Sequence, residues 1–314
     1  MKIGLIDVDG HNYPNLPLMK ISAWHKKHGD IAEWYDPFHG LVEEYDKVYM
    51  SKVFSFTPDY DRPIYAKEIE KGGTGYCIEM VDGKEIFHKE RNKNLPDEIE
   101  HIYPDYSIYP EQTKDTAYGF LSRGCPRACE FCIVKDKEGR CSHKVADLSE
   151  FWRDQKNIVL CDPNILACSE WKDLLQQLID SKAKVDFNQG LDIRMMTEEK
   201  ADMLNRIHVN ALHFAWDRYE DKDMIQPKFK LFKEHSNINE RNLIVYCLVG
   251  SKEQKVLPED LERIYWLRDN GYTPYVMIYG KYNLSKKNDL KRLQRWVNNR
   301  FVFRSVLNFE EYGR

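Results

Sequence analysis

The sequence predicts an α/β protein built on parallel strands, and two observations carry that prediction. From about residue 115 onward, short apolar runs at 117–121, 158–161, 184–187, 211–216, 243–249 and 274–279 alternate with helical patterns. Successive βα units of this kind imply parallel strands joined by right-handed crossovers. A second, shorter alternation fills residues 1–95, so a small Rossmann-like domain is expected ahead of the larger one. Six strands fall short of the eight that close a full barrel, which predicts a partial, open (βα)6 barrel. An open doubly wound sheet satisfies the same alternation; the choice of a barrel rests on the resemblance given below.

Within residues 1–95, the run 2–8 is apolar and ends in acids, as a buried parallel strand does. Leu16, Met19, Ile21, Ala23 and Trp24 form a broad helical face that closes at Gly29. Further strands are expected at 31–35, 47–53 and 64–69, with weak helical patterns between them. Gly72-Gly73-Thr74-Gly75 reads as a turn, because the rest of a phosphate-loop pattern is missing. Residues 96–114 carry Pro96, Pro104 and Pro110 and predict a structured linker crossing a surface. The barrel then spans 115–314. Its helical faces are Leu148/Phe151/Trp152, Leu174/Leu175/Leu178/Ile179, Ala201/Leu204/Ile207, Leu231/Phe232, Leu261/Ile264/Tyr265 and Leu290/Leu293/Trp296/Val297. Thr197 as an N-cap and Pro258 in a first turn mark two helix starts.

Hydrophobic residues make up 42% and charged residues 31%, a globular balance, and no run approaches the ~20 apolar residues that span a bilayer. The first residues read as a strand rather than a signal peptide, so a cytoplasmic protein without a membrane partner is expected. In that reducing setting, eight cysteines suggest ligands, reactive thiols or packing residues, not disulfides. Cys161 and Cys247 lie in apolar strands and read as packing; Cys141 and Cys168 fall in loops and are open to a metal or thiol role. A net charge of −4 sets up no global field for nucleic acid.

The chemistry concentrates in Gly124-Cys125-Pro126-Arg127-Ala128-Cys129-Glu130-Phe131-Cys132, directly after the first barrel strand. Three thiolates at this spacing hold three corners of a cubane cluster from one loop, leaving the fourth iron for a small molecule. Zinc held by Cys125, Cys129, Cys132 and His143 satisfies the same residues, as does a four-cysteine cluster completed by Cys141.

The C-x3-C-x2-C spacing, with the aromatic Phe131 immediately before the third cysteine, resembles the radical S-adenosylmethionine (SAM) superfamily over residues about 113–300. The resemblance implies a partial (βα)6 barrel with a [4Fe–4S] cluster on Cys125, Cys129 and Cys132. SAM would bind the open iron through its amino and carboxylate groups. One electron, from a reductase such as flavodoxin or ferredoxin, would cleave it to methionine and a 5′-deoxyadenosyl radical. The working face of such a barrel is the carboxyl edge of its strands. Asn188, Gln189, Arg194 and Asp217 stand there as candidate contacts to SAM or substrate. Asp162 stands where relatives carry a Gly-Gly-Glu turn for the methionine amino group, and Gly250 matches their adenine-binding strand.

The domain order also resembles radical SAM proteins with an amino-terminal cobalamin-binding domain. The loop at 9–14 is similar to their Asp-x-His-x-x-Gly loop, with His11 at the ligand position and Pro14 in place of the last glycine. The expectation is a short, degenerate or repurposed cobalamin-type domain. Methylthiotransferases share the order but hold a second cluster on three amino-terminal cysteines, and only Cys77 lies here. Residues 281–304 carry eight basic residues against Asp289, interleaved with Trp296, Phe301 and Phe303, a pattern suited to nucleic-acid phosphates or to the solvated face of a barrel helix. The expected function is radical chemistry on a small-molecule, peptide or nucleic-acid substrate. A zinc-stabilised nucleic-acid-binding protein is the alternative.

Overall fold

The computed structural model describes residues 1–81, 84–281 and 284–313. The chain divides into two compact units. One comprises Met1–Phe120, Gly124–Arg140 and Val145–Ile158; the other comprises Leu121–Arg123, Cys141–Lys144 and Val159–Arg314. The cysteine segment therefore groups with the amino-terminal residues.

In the first unit, β1 (Lys2–Asp7), β2 (Ile31–Trp34), β3 (Tyr45–Ser51) and β4 (Ala66–Gly72) form a parallel sheet in the order β2-β1-β3-β4. Strand alternation splits β1 between two cores. Ile3 and Leu5 pack with Leu18, Met19 and Ile21 of the helix Leu16–Lys27, while Ile6 packs with Tyr45, Val48 and Met50 on the other face. Asn15 caps that helix by accepting from Leu18 N, and its amide donates to Ser51 Oγ at 2.8 Å. Tyr35, Tyr60, Ile64 and Tyr76 cover the second face in place of long helices. The weak helical patterns in the sequence follow from this cover. A hairpin of β5 (Ile78–Val81) and β6 (Lys84–Phe87) comes after β4.

Segment 96–114 is not the surface crossing expected of it. Its prolines open the helical turns Asp97–Glu100 and Pro110–Thr113, and Ile99, Ile108 and Tyr109 are buried in the core that holds Ile3 and Leu5.

The larger sheet contains β7 (Thr116–Gly119), β10 (Asn157–Leu160), β11 (Lys184–Leu191), β12 (Val209–Ala215), β13 (Leu243–Val249) and β14 (Thr273–Ile278); β8 (Ser122–Arg123) and β9 (His143–Lys144) form a separate short ladder. The order β14-β13-β12-β11-β10-β7 is the sequential order of a partial (βα)6 barrel, and β11 to β14 pair in parallel. Helices Trp171–Ser181, Glu198–Arg206, Lys222–Glu234, Pro258–Asp269 and Asp289–Asn298 follow the last five strands. Thr197 caps its helix by accepting from Lys200 N, and Pro258 occupies a first turn. Each Leu or Ile these helices bury, such as Leu174, Leu178 or Ile264, contributes about 1.5–3 kcal/mol.

Three expectations change. The pattern Leu148/Phe151/Trp152 yields only the short turn Leu148–Glu150, because the Phe151 ring packs directly on Gly119: a Cβ there would stand 2.4 Å from it. Helix Lys222–Glu234 buries Ile225, Phe229 and Phe232, with Leu231 only half-buried. Cys161 falls just beyond β10. In the basic carboxyl-terminal region, Trp296 and Phe303 belong to the core with Leu290 and Leu293, leaving Phe301 exposed. The aromatic partners of a nucleic-acid surface are thus mostly spent on packing. Among the described residues, no helix is long and apolar enough to cross a membrane.

Gly73 stands at φ +97°, and a Cβ there would fall 2.4 Å from the Lys52 carbonyl oxygen. Gly73→Ala is expected to destabilise the protein by about 2–4 kcal/mol through left-handed strain and backbone overlap. A urea unfolding midpoint equal to that of the parent would contradict this packing.

Candidate functional site

Residues 124–140 leave β8 and return to β9 as a lobe closed at its base. Gly124 N donates to Glu138 Oε2 at 3.3 Å, and Cys125 N donates to Gly139 O at 3.2 Å. Three positive φ angles bend it, +83° at Gly124, +48° at Ala128 and +94° at Gly139. The second is uncommon for a residue with a Cβ, and it lies in the three-residue gap between Cys125 and Cys129. Cys132 N donates to Cys129 O at 3.1 Å, and Lys135 Nζ reaches the same carbonyl at 3.2 Å. Lys137 Nζ donates to Thr74 Oγ1 at 2.7 Å, tying the lobe to the glycine turn after β4. The three cysteines are half-buried on this bent backbone, and Phe131 beside them is 42% exposed.

Among the described residues, no three His, Cys, Asp or Glu side chains are gathered to hold a metal ion. A cubane cluster makes a different demand. Each thiolate takes its own iron, so the sulfurs stand apart on one loop. This loop combines short gaps between its cysteines with partial exposure and an irregular backbone. His143, the fourth zinc ligand considered, is exposed in β9 with Nδ1 3.1 Å from Cys141 O. Cys141 is exposed as well, whereas Cys168 is buried, and burial pushes its thiol up.

The other candidates lie at the strand ends of the second unit. Asp162 is buried, with Oδ1 accepting from Leu121 N at 2.9 Å and Oδ2 from Ser122 N and Ser122 Oγ at 2.5 and 2.6 Å. Burial pushes this carboxyl up to about 6 against the pull of those hydrogen bonds. Both oxygens serve residues two and three positions ahead of Gly124, so Asp162 is a positioning residue here. Asn188 and Gln189 sit in a bulge. Phe187 pairs with Leu212 and Leu191 with Phe214, so the three residues between them on β11 face one on β12. Gly190 completes the bulge at φ +97°, a conformation that favours glycine. Gln189 is exposed and Asn188 half-buried.

Arg194 is held by two carboxylates: Nε donates to Asp192 Oδ1 at 2.7 Å and an Nη to Asp221 Oδ2 at 3.0 Å. Asp217 accepts from Leu248 N at 3.2 Å; burial pushes its carboxyl up, and Arg263 and Arg194 pull it down. Gly250 has φ +78°, and a Cβ would meet Leu290 at 2.8 Å, so backbone conformation and packing both favour glycine there.

Sequence reading missed a row on the sheet face opposite the helices. Asp186, His213, Tyr246 and Tyr275 come from four adjacent strands. The available signal was a polar residue interrupting each otherwise apolar strand, Asp186 in β11 and His213 in β12. Also unread was Arg263, buried in helix Pro258–Asp269, which donates to Trp216 O, Leu248 O and Asp260 Oδ1 and so braces two strand ends. In the first unit, His11 stacks on Trp34 at 4.0 Å and meets Tyr109 edge-on, and Asp7 accepts from Tyr109 OH at 2.6 Å.

No protein-family model matches the sequence, and no curated protein matches it. Solved structures do resemble the fold. A radical S-adenosylmethionine methyltransferase, TsrM, from Kitasatospora setae, solved with cobalamin and a [4Fe–4S] cluster, aligns with a TM-score of 0.57 at 11% identity, over 88% of this chain and 74% of that one. The same enzyme with tryptophan substrate and a SAM analogue gives 0.59 at 11%, over 88% and 72%. OxsB, a cobalamin-dependent SAM radical enzyme solved with aqua-cobalamin and SAM, gives 0.56 at 12% over 99% of this chain and 56% of that one. The α/β fold, a Rossmann-like domain followed by a partial barrel, is thus similar to that of these solved cobalamin-dependent radical SAM enzymes.

Asp162 supplies a pH test. Its folded value of about 6 exceeds the ordinary 3.8, so the fold binds its proton more tightly than the unfolded chain does. Stability from this group is present below about pH 4 and is lost as pH rises through about 6. Asp162→Asn does not titrate, so its stability relative to the parent should rise by about 3 kcal/mol between those limits. Urea unfolding of both proteins at pH 4.5 and 7 checks it; a pH-independent difference would refute it.

Proposed function

We propose that the chain is a radical SAM enzyme in which Cys125, Cys129 and Cys132 each take one iron of a [4Fe–4S] cluster, leaving the fourth iron open to SAM. The observation that carries this reading is the closed, bent lobe presenting three cysteines after the first strand of a sequentially ordered six-stranded sheet. When bound, such a cluster supplies one electron to SAM.

The chain's own residues hold and shield. Gly124 and Ala128 bend the lobe so that neighbouring thiols need not share one direction. Glu138 and Gly139 pin its base, and Asp162 fixes the backbone that leads into it. Phe131 offers an apolar cover beside Cys132. In the second unit, Asn188, Gln189, Arg194 and Asp217 are assigned to SAM or substrate. Arg194 is oriented by Asp192 and Asp221. Gly250 contributes backbone rather than a side chain.

A corrinoid is assigned to the carboxyl edge of the β2-β1-β3-β4 sheet, where doubly wound sheets take their ligands. Asp9 shapes that edge by accepting from Val53 N and Thr57 Oγ1. The ring of His11, committed to Trp34 and Tyr109, does not serve as its cobalt ligand. A single-electron reductase such as flavodoxin or ferredoxin completes the system. Reduced thiols and an oxygen-sensitive cluster suit the cytoplasm.

Anaerobically purified protein should be brown, with about four iron and about four sulfide per chain. Cys129→Ala should abolish reductive SAM cleavage while leaving thermal unfolding near that of the parent. Colourless protein carrying one zinc would overturn the assignment in favour of a zinc-stabilised module, and persistent cleavage by Cys129→Ala would refute the three-cysteine cluster.

A further inference from the structure

The helix-facing side of the larger sheet is filled by Phe187, Leu212, Phe214, Val245, Cys247 and Val276, all almost fully buried. The opposite side is not. Register places Asp186 beside Ala211, His213 beside Ile244, Ala215 beside Tyr246 and Tyr246 beside Tyr275, so Asp186, His213, Tyr246 and Tyr275 share that face. Tyr275 is 43% exposed and Met277 46%. Parallel sheets ordinarily cover both faces with apolar side chains, and this one keeps an acid, an imidazole and phenol rings on the second.

His213 Nδ1 lies 2.9 Å from the Phe187 carbonyl oxygen, which can only accept, so Nδ1 carries the hydrogen. In the neutral ring Nε2 is then an acceptor, and it has no hydrogen-bond partner among the described residues. Tyr246 fixes the ring further by stacking on it at 5.0 Å, with planes 9° apart. Asp186 Oδ1 stands 3.6 Å from Nδ1 and is itself buried without a hydrogen bond. A carboxylate so placed strengthens the imidazole as an acceptor at Nε2.

We propose that Asp186, His213, Tyr246 and Tyr275 form the binding site for a planar aromatic molecule carrying a ring N–H or O–H donor, with that hydrogen directed to His213 Nε2. The exposed Tyr275 ring and Met277 supply the apolar surface for the ring, and Asp186 disfavours an anion. That this molecule is the substrate rests on the radical-enzyme reading above; the site itself does not.

The test uses the full chain, anaerobically reconstituted, with SAM and without reductant, titrated calorimetrically with indole and with 1-methylindole. Indole should bind, with 1-methylindole about tenfold weaker, as expected for one net hydrogen bond. His213→Phe should erase that preference, and Asp186→Asn should weaken indole about threefold with little effect on 1-methylindole. Because His213→Phe also loses the contact to Phe187 O, long-range ¹⁵N–¹H correlation on the parent gives a second readout: His213 should show the Nδ1–H tautomer. Equal binding of the two probes, binding of neither, preference for butylammonium over indole, or an Nε2–H tautomer would each overturn the site. Protein that lacks iron yet prefers indole refutes the radical reading alone; protein that cleaves SAM yet prefers neither probe refutes this site alone.

Discussion

In a parallel sheet every strand hands its chain to the next through a crossover, so all the carboxyl ends meet at one edge. The β2-β1-β3-β4 sheet and strands β11 to β14 of the larger sheet obey that constraint, and it governs where chemistry can stand. The amino ends are tied to packed helices, leaving the carboxyl-end turns to carry polar and irregular backbone. In the second unit Asp162 and Asp217 stand two residues beyond the ends of β10 and β12, and each accepts from a backbone N–H of a neighbouring segment. Arg263 acts from a helix, donating to carbonyls at the ends of two neighbouring strands. The rim is therefore built of polar residues, but much of that polarity is internal support.

The bulge in β11 shows what such support achieves. Three residues facing one interrupt the ladder, and the carbonyls of Phe187 and Asn188 need other donors. They find His213 Nδ1 and Tyr246 OH, both from the sheet face away from the helices. Gly190 lies against the same tyrosine ring, with a Cβ position 3.6 Å from it. One set of interactions thus displaces Asn188 and Gln189 from the regular strand and orients the His213 ring. A change at Tyr246 would disturb the bulge and the imidazole together.

The larger fold was legible because the strands β10 to β14 carry apolar runs, each followed by a helical pattern. The amino-terminal domain was less so. Its second face is covered by tyrosines and loops, which carry no periodic signal, and the prolines of segment 96–114 signalled breaks without revealing that Ile99 and Tyr109 lie in the core. The Leu148/Phe151/Trp152 pattern misled because a single contact, Phe151 on Gly119, outweighs one turn of helical spacing. At the site, residue type was readable and employment was not. Asp162 is acidic and at a strand end as expected, yet its oxygens face Leu121 and Ser122.

This difference has a physical origin. Ligands supplied by one short loop spare the chain from fixing several distant segments independently, and chemistry of that kind condenses into a motif. Recognition of a ring does not. A flat surface is assembled most simply from one side chain on each of several adjacent strands, and Asp186, His213, Tyr246 and Tyr275 are such a set, each separated from the next by a helix and two turns. Only strand register brings them into one row, because alternation would turn any of them to the helix face if its strand slipped by one residue. A set of ligands on one loop is therefore written in consecutive residues. A row of side chains across strands exists only once the sheet has formed.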